Sequence, residues 1–193
     1  MMNICVYGAS SQTLDKKYIE AGESLGRAIA SHHHTLIFGG GTNGMMGAAA
    51  RGAKEKGGFV VGIAPTFFEV DGVLYDKCDR LLRPESMRER KLMLEELSDA
   101  FVMMVGGIGT FDEFFEILTL KELGRHGCPI VILNTDHFFD PLLAVIDHGV
   151  STNSIGKRVY EMFRVFEDPE EALNYIDGFE GREQTLQIYK NII

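Results

Sequence analysis

The alternation of short apolar runs with longer amphipathic stretches constrains the fold of this chain more than any other feature of its sequence. Most of the predicted strands are apolar on both faces, which is typical of parallel strands covered by helices on each side. The strands are predicted at residues 4–7, 35–38, 59–63, 100–105, 130–133 and 163–166. The helices are predicted at residues 14–29, 43–56, 84–98, 110–123, 141–148 and 168–176. This pattern predicts an α/β fold with a doubly wound, mostly parallel sheet.

The length, charge and cysteine content exclude several classes of protein. A chain of 193 residues has the size of one domain, so we expect residues 1–193 to form a single domain, with 179–193 as a loosely held tail. A net charge of −9 argues against a nucleic-acid binder, and no apolar stretch approaches the roughly 20 residues of a membrane span. The start of the chain has no basic leader, and its three cysteines are widely spaced. We therefore expect a cytoplasmic protein with free thiols.

Three loops that follow predicted strands lie at the edge where parallel sheets bind ligands. The first loop is Tyr7-Gly8-Ala9-Ser10-Ser11. Its small residues permit a ligand to approach the backbone closely, and Ser10 offers that ligand a hydroxyl group. A serine in a turn is also explained as a simple cap, so both interpretations stay open.

The second loop, residues 38–47, matches the pattern GxGxxG through Gly39, Gly41 and Gly44. Backbone N–H groups at such a helix start can hold a phosphate. A dinucleotide site is excluded because the next strand ends at Ile63 without an acid to hold a ribose, and the chain contains no P-loop motif. The loop therefore faces a ligand, with Gly41 as a contact, or it is a tight turn between strand and helix.

The third loop, residues 105–113, again follows an apolar strand and opens a helix. Gly107, Gly109 and Thr110 could present N–H groups and a hydroxyl to a phosphate. This loop is a second candidate phosphate site on the same edge of the sheet.

The helix after the third loop carries two carboxylates and many apolar residues. Glu113 and Glu116 are three residues apart and therefore share one face. Acids suit the first turn of any helix, but that explanation covers Glu116 poorly, so we interpret the pair as functional. The helix is apolar nearly all round, which predicts that it is buried, although an exposed apolar face for dimerisation is the alternative.

A charged stripe marks the helix predicted at 84–98. Helical spacing places Arg90 and Lys91 on the same face as Met87, Leu94 and Leu97, which is the face that turns inward. Buried cations need a partner, so the stripe predicts an anion site in which Arg90 contacts phosphate or carboxylate. The alternative is that both side chains extend to the rim and stay solvated.

The run His32-His33-His34 connects the first helix to the second strand. This position predicts the amino end of the sheet, away from the ligand edge. No carboxylate or cysteine joins the run in sequence, so we predict no metal site there or elsewhere in the chain.

The third loop and the helix before it resemble the paired motifs of the LONELY GUY family, M-x-x-R-K and PGGxGTxxE. The matching segments are Met87-Arg88-Glu89-Arg90-Lys91 and Gly106-Gly107-Ile108-Gly109-Thr110-Phe111-Asp112-Glu113. The similarity extends to residues 6–10, 39–47 and 129–134, so it covers most of the chain. Members are cytokinin riboside 5′-monophosphate phosphoribohydrolases, long labelled possible lysine decarboxylases.

This resemblance implies a Rossmann-like homodimer that cleaves a nucleoside 5′-monophosphate, either AMP or an N6-modified AMP. The products would be the free base and ribose 5-phosphate, formed without metal or redox cofactor. By motif position Arg90 and Glu113 take the catalytic places. The predicted substrate-binding residues are Ser10, Gly41, Met87, Lys91, Gly107, Gly109, Thr110 and Glu116. The separate roles of Glu113 and Glu116 stay open.

One residue departs from the family pattern, because Val105 stands where the family has proline. This departure leaves the activity level and the preferred base open. The main alternative function is a carrier or sensor that binds a phosphate-bearing ligand without turnover. Lysine decarboxylation is disfavoured, because Lys91 is the one lysine that we expect to face inward and nothing else resembles a pyridoxal phosphate site.

Overall fold

The computed structural model describes residues 1–68 and 72–180, whose strands form one sheet. The strands are β1 Asn3–Tyr7, β2 Thr35–Phe38, β3 Val60–Ile63, β4 Arg80–Leu82, β5 Ala100–Met103, β6 Ile130–Leu133 and β7 Arg164–Phe166. Their order across the sheet is β4-β3-β2-β1-β5-β6-β7, and every neighbouring pair is parallel. The predicted Rossmann-like α/β class is confirmed.

Helices cover both faces of this sheet. They are α1 Lys16–Ser31, α2 Gly44–Glu55, α3 Met87–Glu96, α4 Ile108–Glu122, α5 Asp140–Ser151, α6 Val159–Met162 and α7 Pro169–Asp177. Helices α1, α2 and α7 pack in one layer, on a core that includes Leu25, Ala49 and Leu173. Helices α3 to α6 pack on the other face, around Leu94 and Phe114. Both layers follow from strands that are apolar on both sides.

The topology creates a switch point beside the central strand β1. The chain runs outward from β1 to β4, then crosses back to β5 on the other side of β1 and continues to β7. The carboxyl ends of β1, β2 and β5 therefore meet where the strand order reverses. Ligands of doubly wound folds bind in the crevice at this point.

The predicted strands and helices are found with small differences in their bounds. The strand predicted at 100–105 ends at Met103, because the next residues leave the ladder and the carbonyl of Val105 accepts the N–H of Ala9 at 3.0 Å. Helix α7, predicted at 168–176, begins at an N-cap, since Asp168 accepts the N–H of Glu171 at 3.0 Å. Strand β4 and helix α6 were not predicted; each has only three or four residues, and β4 lies at the sheet edge with its first two residues exposed.

The helix predicted at 110–123 is only partly buried, and the alternative of an exposed apolar face is the one found. Helix α4 buries Phe114 and Ile117 against the sheet, but Ile108 is 83% exposed, Phe115 39% and Leu123 43%. These three positions lie on one side of the helix, because they are seven and eight residues apart. An apolar face of α4 is therefore open in the single chain.

The histidine run lies at the amino end of the sheet, as predicted, but the fold brings carboxylates to it. His32 Nδ1 lies 2.6 Å from Asp177, and its Nε2 lies 3.0 Å from Glu170. His34 Nε2 lies 2.6 Å from Asp177, while its Nδ1 accepts the N–H of Met2 at 3.1 Å. The Met2 bond places the proton of His34 on Nε2, the nitrogen that a metal would need. The geometry is thus a hydrogen-bonded cluster, although His32, His34 and Asp177 have the donor types of a metal site.

This cluster predicts a pH-dependent contribution to stability. The hydrogen bond to Asp177 raises the pKa of His32 above its ordinary value of 6.5. A raised pKa means that the folded state holds the proton more tightly, so the contribution is complete below about pH 6 and disappears as pH rises through the folded pKa. We expect His32→Gln to lower the free energy of unfolding at pH 6 by an amount on the order of 1 kcal/mol, and by less at about pH 9.

Thermal unfolding of His32→Gln across this pH range checks the expectation. His148→Gln, which changes an exposed histidine of α5, is the matched control and should show no such trend. A Tm difference that is constant with pH would mean that His32 is not held as an imidazolium ion.

The predicted loose tail falls partly outside the described residues. Residues 181–193 are not described, so that part of the prediction stays a prediction. The beginning of the tail is packed, since the ring of Phe179 lies over Lys121 Nζ of α4, 5.3 Å from the ring centroid. Among the residues described, no helix has the length and apolar character needed to cross a membrane.

Candidate active site

A cleft of about 840 Å³ lies at the switch point, between the loops that follow β1, β2 and β5. Its charged lining residues are Arg90, Lys91, Asp112 and Glu113. Apolar side chains form the other part of its wall: Leu14, Met46, Phe68, Val73, Leu74, Met87 and Phe138. A cleft with convergent charges on one side and an apolar wall on the other is typical of a small-molecule site.

Helix α3 carries Arg90 into the floor of the cleft. The Ser86 hydroxyl caps this helix by accepting the N–H of Glu89 at 3.2 Å, and one turn later Arg90 is buried with 7% exposure. Arg90 Nε donates to the carbonyl of Ile63 at 3.1 Å, and Nη1 donates to Glu113 at 2.7 Å. These bonds replace the water that a buried guanidinium would lose.

The inward stripe predicted on α3 is correct in its middle and wrong at its ends. Arg90 and Leu94 are buried, and Lys91 is half-buried. Met87 and Leu97 are 42% and 38% exposed. The helix has only ten residues, so its two ends project beyond the layer that covers the sheet.

Glu113 faces Arg90 from the first turns of α4. Its side chain is 11% exposed. Burial raises the pKa of the Glu113 carboxyl above its ordinary value, and the nearby charge of Arg90 opposes that rise. A carboxyl balanced in this way can accept a proton or stabilise a positive charge that develops beside it.

The third glycine loop leaves space where an anion would approach α4. A Cβ atom added at Gly107 or Gly109 would meet no heavy atom within 4 Å. Gly107 is the N-cap residue of α4 and provides no side chain to cap the first N–H groups. Gly106 is different, because a Cβ there would lie 2.1 Å from the Thr110 hydroxyl oxygen. The loop thus combines open N–H groups with a buried hydroxyl, an arrangement that suits a phosphate.

Lys91 lies between two carboxylates of α4. Its Nζ is 3.1 Å from Asp112 and 3.0 Å from Glu116. Asp112 lines the cleft, whereas Glu116 is not among the lining residues. Glu116 therefore contacts the site through Lys91, and the structure separates it from Glu113, which faces Arg90.

The cleft brings together nine of the ten residues predicted for the site. These nine are Ser10, Gly41, Met87, Arg90, Lys91, Gly107, Gly109, Thr110 and Glu113. Glu116 is the exception. Their roles toward a substrate stay predictions, because proximity alone does not assign them.

Apart from Met87, the apolar wall was missed by sequence reasoning. Phe68 and Val73 flank residues 69–71, in a stretch without regular periodicity, and Phe138 follows β6. A pair of adjacent phenylalanines at 67–68, outside every predicted strand and helix, is the one signal in the sequence. In the structure Phe67 is 57% exposed in the short 3₁₀ helix Thr66–Phe68. Exposed aromatic residues beside a cleft often mark a ligand surface.

The departure at Val105 does not remove the backbone bond between the first and third loops. Val105 is buried, and the bond that ties this loop to the first loop is donated by Ala9 to the Val105 carbonyl. A proline has the same carbonyl, so this bond does not depend on which of the two residues is present.

The comparisons with known proteins agree with these motifs. A family model described as possible lysine decarboxylase matches residues 46–176. The cytokinin riboside 5′-monophosphate phosphoribohydrolase of Rhodococcoides fascians is 37% identical over 158 residues, which cover 81% of this chain and 80% of that protein. The enzyme of the same name from Mycobacterium tuberculosis is 35% identical over 170 residues, 88% of this chain and 90% of that one. The chain belongs to the LONELY GUY family.

Solved structures confirm the fold. The molybdenum cofactor binding protein of Rippkaea orientalis superposes with a TM-score of 0.70 at 22% identity, over 91% of this chain and 94% of that one. The molybdenum cofactor carrier protein of Chlamydomonas reinhardtii gives a TM-score of 0.69 at 24% identity, over 91% and 95%. At this identity the likeness concerns the fold and carries no function.

Proposed function

We propose that this chain hydrolyses the N-glycosidic bond of a nucleoside 5′-monophosphate, AMP or an N6-modified AMP, to the free base and ribose 5-phosphate. The observation that carries the proposal is the buried pair of Arg90 and Glu113, 2.7 Å apart, beside the open glycine loop at residues 106–110. The names of the relatives support the same reaction class, since they are phosphoribohydrolases.

The chemistry requires a carboxylate close to the ribose. Cleavage of the bond between C1′ and the base builds positive charge on the ribose ring, as in glycoside hydrolysis. Glu113 can stabilise this charge and can take a proton from the attacking water. The oxygen of that water becomes the hydroxyl on C1′, and the departing base takes up a proton. Arg90 holds Glu113 in its ionised form and fixes its direction.

The remaining lining residues have matching roles in this proposal. Gly107, Gly109 and Thr110 hold the 5′-phosphate at the start of α4. The apolar wall, with Phe68 and Phe138, holds the base and any apolar group on it. The cleft of about 840 Å³ leaves room for a nucleotide with a substituted base.

Incubation with a panel of nucleotides tests this function. We expect chromatography to show base release from AMP or isopentenyl-AMP and less from CMP and GMP. Adenosine should react poorly, because it lacks the phosphate that the loop at 106–110 would hold. A folded protein that releases no base from any of them but retains a bound phosphate-bearing ligand would favour the carrier function instead.

We also propose that the chain forms a homodimer through the exposed face of α4. Ile108, Phe115 and Leu123 lie on this face, and such apolar side chains are usually covered by another surface. We propose in addition that the protein is located in the cytoplasm. Its three free cysteines support this location.

Phe115→Glu is expected to convert the dimer into a monomer, because it places a charge in the middle of the apolar face. Light scattering after size exclusion measures the mass directly. Val145→Glu, which changes a residue of α5 that is 63% exposed, is the matched control and should leave the mass unchanged. A wild-type mass equal to that of one chain would refute the dimer.

A further inference from the structure

Gly39 lies directly against the guanidinium group of Arg90. A Cβ atom at position 39 would be 2.1 Å from Arg90 Nη2 and 3.3 Å from Cζ. Carbon and nitrogen atoms that are not bonded do not approach so closely, so any side chain at position 39 would displace Arg90 or the loop. The second neighbour is Met46, whose flexible thioether sulfur would be 2.9 Å away.

Arg90 has little freedom to yield to such a side chain. Its Nε donates to the carbonyl of Ile63 and its Nη1 donates to Glu113, so two edges of the guanidinium plane are fixed. The side chain is also buried. Movement of the guanidinium would break one or both of these bonds.

The loop that contains Gly39 is equally fixed. The Gly40 carbonyl accepts the N–H of Tyr75 at 2.9 Å, and the N–H of Thr42 donates to Val73 at 2.9 Å. Gly40 has a φ of +78°, a conformation that glycine adopts without strain. The two bonds bind the loop to residues 73–75 and keep it close to Arg90.

We propose that Gly39 is a positioning residue, whose missing side chain forms the seat that holds Arg90 against Glu113. This inference rests on the proposed function, because it assigns the seat to the pair that would act on the glycosidic bond. It also gives the two glycine loops different roles. The loop at 106–110 opens onto space for a ligand, whereas Gly39 in the second loop is in contact with a catalytic side chain. The first glycine of this GxGxxG pattern, Gly39, thus leaves room for the guanidinium group of Arg90.

Gly39→Ala provides the kinetic test. We expect kcat to fall about 100-fold, because a displaced Arg90 no longer directs Glu113, while KM changes little since the phosphate is held elsewhere. The acidic limb of the pH–rate profile should move to higher pH. Arg90 lowers the pKa of Glu113, so its displacement raises that pKa and protonates the carboxylate at a pH where the wild type is ionised.

A purely structural role would lower kcat without moving that limb. Gly156→Ala is the matched control, because a Cβ at Gly156 meets nothing within 4 Å and its backbone needs no positive φ. This control should leave both kcat and the pH profile unchanged.

A double-mutant comparison keeps the test valid if Gly39→Ala folds poorly. Gly39→Ala should lower Tm by roughly 3–10 °C when Arg90 is present. In an Arg90→Ala background Gly39→Ala should lower Tm much less, because Arg90 Nη2, the atom nearest to the added Cβ, is absent. If Gly39→Ala lowers Tm equally with and without Arg90, the proposal that Gly39 positions Arg90 is wrong.

A measurement without substrate separates this inference from the proposed function. Carbon NMR of labelled glutamate should show a higher pKa for Glu113 in Gly39→Ala than in the wild type. If that difference appears while the wild type cleaves no nucleotide, the seat stands and the proposed reaction fails. If the wild type cleaves AMP and Gly39→Ala changes neither kcat nor the pKa, the seat is wrong.

Discussion

Replacement of Glu113 by glutamine is expected to lower kcat for base release by about 10³-fold. The amide would keep the size of the side chain and its hydrogen bond from Arg90, but it would have no charge to stabilise the ribose and no basic oxygen to take a proton. Because the change is nearly isosteric, KM for the nucleotide should stay within about three-fold of the wild-type value. Steady-state kinetics with AMP or isopentenyl-AMP measures both constants.

Glu116→Gln is the informative comparison for this variant. Glu116 contacts Lys91 and does not line the cleft, so we expect its loss to reduce kcat by less than about ten-fold. The two carboxylates share a helix face in the sequence, and this pair of variants assigns their roles. Equal losses in both variants, or a fully active Glu113→Gln, would contradict the account.

The wild-type pH profile should carry the signature of the same carboxyl. Burial raises the pKa of Glu113 above its ordinary value of 4.5. The base form is lost when the pH falls through this raised pKa, so activity should decline on the acidic side at a higher pH than for a solvated glutamate. The residual activity of Glu113→Gln should no longer show this decline on the acidic side of the pH profile.

Arg90→Met is expected to destabilise the protein by about 3–5 kcal/mol near neutral pH. Both partners of the pair are nearly buried, with 8% and 11% of their side chains exposed, so removal of the cation leaves the Glu113 charge buried and unpaired. The pKa of Glu113 then rises further, and the variant should recover stability as the pH falls and the carboxyl takes up a proton. Urea unfolding at several pH values measures this recovery.

The double variant Arg90→Met/Glu113→Gln should be more stable than Arg90→Met alone. It contains no buried charge at this pair, so the penalty of an unpaired buried carboxylate is absent. A double variant as unstable as Arg90→Met would mean that packing around Arg90, and not the unpaired charge, determines the cost.

The sequence predicted the sheet, and nine residues that line the cleft, because these features follow local rules. Apolar strands such as Ile130–Leu133 have a clear length and pattern, and the Asp168 cap is a local signal. The spacing of Arg90 and Lys91 on one helix face predicted their inward direction. The motif resemblance then brought Arg90 and Glu113 into one hypothesis.

The features that were missed depend on residues that are distant in the chain. No local rule relates Gly39 to Arg90, so the sequence did not predict that this glycine lies against the guanidinium group. The carboxylate of Asp177 reaches His34 across 143 positions. The exposure of Phe115 was also hidden, because an apolar helix face has the same pattern whether its own chain or a partner covers it.

The most direct test of the central claim is incubation of the protein with AMP or isopentenyl-AMP, with mass spectrometry of the products. The account predicts free base together with ribose 5-phosphate in equal amounts, and about 10³-fold slower formation of both by Glu113→Gln. Release of inorganic phosphate and a nucleoside would show cleavage of a different bond. That result, or unchanged nucleotide in the presence of folded wild-type protein, would contradict the assignment of Arg90 and Glu113 to glycosidic cleavage.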